Sequence, residues 1–120
     1  MARCVLQCTA PLLTEVVSGL AQHRNVLVAV EKFVVRGRAT ADQRLTADQV
    51  AQLEVVLAGV RFVERPAAAV KPWATDERLA RAGLLDACRG MRHARDAARH
   101  ALFAAVRDLG ASDPFSWASR

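Results

Sequence analysis

At 120 residues, 52% apolar and 24% charged, the chain has the size of one domain and is too hydrophobic for an intrinsically disordered segment. Its formal net charge of +5 favours acidic partners or nucleic acid and decides nothing about fold. No apolar run reaches the roughly 18 residues of a membrane-spanning helix, which excludes a membrane partner at this level of reading.

Arginine supplies nearly all the positive charge. Fifteen Arg stand against Lys32 and Lys71, and Ile and Tyr are absent, a bias typical of GC-rich coding. Some Arg therefore occupy positions where another genome would encode Lys. Cys4, Cys8 and Cys88 are an odd set, and the opening MARCVLQCTAP is too short and polar for a signal peptide. Both features lead us to expect a reducing, cytoplasmic setting.

The first block runs over 10–36. Thr9 is placed to cap a helix with Pro11 in its first turn. Leu13, Val16, Val17, Leu20, Leu27, Val30 and Val34 then recur at helical spacing. His23, Arg24 and Glu31 interrupt this stripe, as a polar cluster or a helix break does. The competing reading breaks the helix there and makes 26–35 a strand, because VLVAVEKFVV is rich in β-branched residues. Its natural pairing partner is then 60–63.

The second block, 46–64, opens on a capping-box pattern, Thr46-Ala-Asp-Gln49. Val50, Leu53, Leu57 and Val60 form one stripe, and Ala51, Val55, Ala58 and Phe62 form another roughly opposite. Such a helix is expected to lie sandwiched, with Leu53 and Leu57 in the core. Its opening resembles the first helix of many helix-turn-helix proteins. However, Pro66 and Pro72 follow where a recognition helix would stand, so no family is assigned on it.

The third block, 75–109, carries the strongest signals: Thr75 as cap, Asp76 and Glu77 in the first turn, and Gly110 beyond the end. Gly83 and Gly90 mark places where it could kink. One side is a seam of small residues, with Ala87, Met91, Ala94, Ala98, Leu102 and Ala105 at its centre. The other side carries Arg78, Arg81, Arg89, Arg92, Arg95, Arg99 and Arg107 with Leu85 and Phe103 among them. Apolar side chains within an Arg field suggest a contact surface.

Chemistry-bearing constellations are sparse. His93, Asp96 and His100 have metal-ligand spacing on a helix, but Arg92, Arg95 and Arg99 flank them and repel a cation. Cys4 and Cys8 lack a second ligand pair for zinc. No phosphate-binding glycine loop or nucleophile motif is present, and nothing points to a cofactor, a metal or a small-molecule substrate.

The expectation is thus an all-α, single-domain, three-helix bundle with a long C-terminal helix, a flexible 1–9 and a tail at 111–120. The alternative is α+β, with a two-stranded sheet from 26–35 and 60–63. The expected role is non-catalytic. Another protein, or a second copy in a weak homo-oligomer, docks on the Arg/Phe face (Arg81, Leu85, Arg92, Arg95, Arg99, Phe103) or on the small-residue seam. Nucleic-acid binding through the Arg stripe on phosphates is the alternative.

Overall fold

A computed structural model describes residues 10–23, 26–32, 41–56 and 58–117. The described elements are α1 (Ala10–His23), β1 (Leu27–Glu31), α2 (Ala41–Val56), β2 (Arg61–Arg65), α3 (Ala67–Val70), α4 (Asp76–Arg81), α5 (Leu84–Ala87) and α6 (Arg92–Arg107), followed by a 3-10 turn at Pro114–Ser116.

The all-α expectation is corrected: β1 and β2 form a two-stranded parallel sheet, so the fold is mixed. The α+β alternative fits, and its two segments are the ones that pair. Leu27 stands opposite Arg61, Ala29 opposite Val63 and Glu31 opposite Arg65. Helix propensity loses here because Val26, Val28 and Val30 are β-branched and each strand finds a partner. Parallel strands need a long crossover, and α2 supplies it, giving a β–α–β unit. The continuous helix expected over 10–36 therefore ends at His23.

The second helix also differs from expectation. It starts at Ala41, so Thr46 lies inside it instead of capping it, and it ends at Val56. Leu53 is only half-buried and Val55 is 76% exposed, so α2 is not sandwiched along its described side chains. Leu57 lies outside the described residues.

The expected single helix over 75–109 is three helices. Gly83 and Gly90 adopt left-handed φ angles of 77° and 75°, which separate α4, α5 and α6. A side chain at either position would be strained, and no α-helix continues through that conformation. Thr75 caps α4 as the sequence indicates, its Oγ1 accepting from the Arg78 amide at 3.3 Å.

The breaks fold the block back on itself. Leu79, Ala82, Cys88, Ala94, Ala98 and Leu102 form the core cluster, with Trp73, Leu84, Leu85, Met91 and Trp117 packed around it. Helix α6 packs on β1 and covers the sheet face that carries Glu31 and Arg65.

Candidate functional site

The Arg/Phe face expected on the C-terminal helix is largely turned to internal use. Phe103 meets Trp73 edge-on at 5.6 Å, and the Arg65 guanidinium lies over its ring at 4.9 Å. Arg65 in turn makes a two-pronged pair with Asp108, both bonds 2.8 Å. Arg99 donates to the Ala74 carbonyl and to Asp76. Leu85 packs on the core, and Arg95 is half-buried. Arg81 and Arg92 face solvent; Arg81 reaches the Trp117 carbonyl at 3.4 Å.

The seam divides similarly. Ala94, Ala98 and Leu102 are buried in the core, Met91 and Ala105 are half-buried, and Ala87 is exposed. Small residues there let α6 approach its own domain closely.

One Arg of the expected stripe, Arg78, organises the C-terminal end. Arg78 stacks between the rings of Trp73 and Phe115, 4.6 Å from each. It pairs with Asp113 at 3.1 Å and donates to the Trp73 carbonyl at 2.9 Å. The expected tail thus folds back at least through Trp117, whose indole donates to the Ser112 carbonyl. These Arg pairs hold the Asp76, Asp108 and Asp113 carboxyls below the usual carboxylate range.

The three residues with metal-ligand spacing do not converge. His93 is exposed and Asp96 half-buried, while His100 is 4% exposed and turns toward β1. Its Nε2 lies 3.7 Å from Glu31 Oε1, too far for a hydrogen bond, and has no hydrogen-bond partner among the described residues. Among the described residues no group of three His, Cys, Asp or Glu could hold a metal ion.

Burial pushes the His100 pKa below its ordinary value, against the opposing pull of Glu31 and Asp96; Arg65 adds to the depression. The folded state therefore binds less proton at this site than the unfolded chain. Stability is expected to fall as pH drops through the unfolded histidine value of 6.5. Urea melts from pH 8 to 5 check this, and His100→Asn should flatten that part of the profile. An unchanged slope in the variant would assign it elsewhere.

A cleft of about 250 Å³ lies between the sheet and α2, lined by Glu31, Lys32, Ala47, Val50, Ala51, Glu54 and Glu64. A hydrogen bond with Glu64 holds the Glu54 carboxyl above its ordinary value, reinforced by burial and by the like charge.

An exposed apolar surface lies on α1, whose Leu13, Val16, Val17 and Leu20 the sequence puts on one helical stripe. Leu12, Leu13, Val16 and Leu20 are 44%, 41%, 36% and 52% exposed. At 100° per residue they fall within an arc of about 100°, with no charge among them. Glu15 and Gln22 lie on another side, and Ser18, opposite the arc, is half-buried. The apolar arc thus faces outward. Sequence periodicity could not find this, because it reports that a face is apolar and not which way it turns.

No protein family matches this chain, and neither a curated protein nor a solved structure is significantly similar to it. Among the described residues no helix is long and apolar enough to cross a membrane.

Proposed function

We propose that the chain is a non-catalytic protein–protein docking module that engages its partner through the outward apolar arc of α1. The observation that supports this reading is the exposure of Leu12, Leu13, Val16 and Leu20 together on one 14-residue helix. Contiguous apolar surface of this kind on a small domain is costly in water and marks a contact surface. The arc carries no charge, so the matching surface is itself apolar and weakly charged, as the face of another helix is.

The Arg stripe is the weaker candidate for docking. Arg78, Arg99 and Phe103 are committed inside the domain, which leaves Arg81, Arg89, Arg92 and Arg107 as its solvent-facing members. Arg89 is paired with Asp86 at 2.9 Å, and the apolar members of the face, Leu85 and Phe103, are half-buried.

The test compares proteins cross-linked to the native chain with those cross-linked to a variant carrying Leu12→Gln, Leu13→Gln, Val16→Gln and Leu20→Gln. Because these side chains are already exposed, the variant is expected to keep its melting temperature and lose its cross-linked species. Identical species from both proteins would overturn the reading, as would a large loss of stability.

A further inference from the structure

We infer that the contact between α6 and β1 is a proton-operated joint: protonation of His100 parts the sheet from α6 while α4, α5 and α6 stay packed together.

Among the described residues His100 is the only buried polar one, and its Nε2 is left without a hydrogen bond. Packing normally satisfies such an atom. Here it sits where α6 meets β1, beside the Glu31 carboxylate. A neutral ring is tolerable there. A charged ring has lost its water and has no hydrogen bond in exchange. Closing the 3.7 Å gap would draw the 39% exposed Glu31 side chain out of water as well, so the charged pair is better hydrated than buried.

Three charged groups act on the ring: Glu31 of β1, Asp96 of α6 itself and Arg65 of β2. Burial, the largest influence, opposes the proton and Arg65 joins it, while the two carboxylates favour it. Of the other elements packed on α6, α3 carries no charge. On α4, Arg78 is paired with Asp113 and Asp76 with Arg99, while Glu77 and Arg81 face solvent. On α5, Asp86 is exposed and paired with Arg89; just beyond it, burial pushes the Cys88 thiol up and keeps it neutral.

The joint is the place where the fold parts most cheaply. The core cluster from Leu79 to Leu102 lies wholly within α4, α5, α6 and the turns between them, so it stays closed when the sheet leaves. Every residue of β1 is only half-buried. The Arg65–Asp108 pair does not depend on the ring and ties β2 to the end of α6, so the sheet tips about β2. Two strands without a covering layer are marginal in water. Their ladder, with the Lys32 amide donating to the Arg65 carbonyl at 2.8 Å, therefore frays once α6 no longer covers it.

The open form takes up its proton at the ordinary histidine value of 6.5, and the closed form only at lower pH. The ratio of open to closed therefore rises as pH falls below 6.5, by at most about tenfold per pH unit for one proton.

Amide hydrogen exchange of the native chain from pH 8 to 5, each rate referred to that of an unstructured amide at the same pH, tests the joint. Protection over 27–32 and 61–65 is expected to drop by up to about tenfold per pH unit below 6.5, while 92–107 keeps its protection. Glu31→Gln removes the stronger of the two attractions for the proton, so its drop should begin at lower pH. His100→Asn should lose the pH dependence; if that variant does not fold, Glu31→Gln alone decides. Strand protection that ignores pH would overturn the inference. Protection that rises on acidification would do so too, by showing Glu31 closing onto the ring. Loss over 27–32, 61–65 and 92–107 together would replace the joint by global unfolding. A Glu31→Gln drop at the native pH or above would remove His100 as its cause. No residue of α1 takes part, so these outcomes leave the docking reading untouched.

Discussion

Leu79→Ala is expected to lower the free energy of unfolding by about 3 kcal/mol, within the 2–5 kcal/mol range of buried leucine truncations. Leu79 is fully buried and belongs to the cluster that joins α4, α5 and α6. Removing it leaves a void among α4, α5 and α6, of which α4 and α5 are too short to be stable alone. Leu53→Ala should cost distinctly less, because α2 leaves that side chain half-exposed. Urea melts of both variants measure the difference. Equal losses would mean that α2 is packed as tightly as the C-terminal core.

Much of the chain's local structure was legible in the sequence, and the failures share a cause. Thr75 and Gly83 are local devices, a side-chain cap and a left-handed turn, and both act where their residue types indicate. The segment around Val28 was ambiguous because its β-branched residues satisfy a helical stripe and a strand equally. A pairing partner more than thirty residues away decides between them, and periodicity within one window does not see it. The same limit applies to α1: an apolar stripe shows that one face is apolar and not which way it turns. It also misread Phe103. An apolar ring among Arg looked like a docking anchor, but Trp73 and Arg65 reach it from elsewhere in the chain. Arg78 shows the converse. Its spacing puts it on the Arg stripe, yet it holds the tail through Asp113 and Phe115.

The double substitution Ala94→Gln/Ala98→Gln is expected to cost more than about 4 kcal/mol and leave most of the protein unfolded at 37 °C. Both alanines are buried, at 6% and 8% exposure, within the cluster that contains Leu79, Cys88 and Leu102. Each Gln adds side-chain volume to a packed site, at about 1–3 kcal/mol. Each also buries an amide without a built partner, at about 1–3 kcal/mol more. Against a typical total stability of about 5–15 kcal/mol, two such changes consume most of the margin. Ala97→Gln/Ala101→Gln is the matched comparison, because both positions lie on the exposed side of α6. The same residue change there should shift stability by at most about 0.5 kcal/mol per site. Thermal melts therefore separate the two readings of the small-residue seam. If it packs the domain, the buried pair unfolds the protein and the exposed pair does not. If it is instead a surface for a partner helix, the buried pair keeps its melting temperature and loses only its association. That second result would return α6 to the role proposed here for α1.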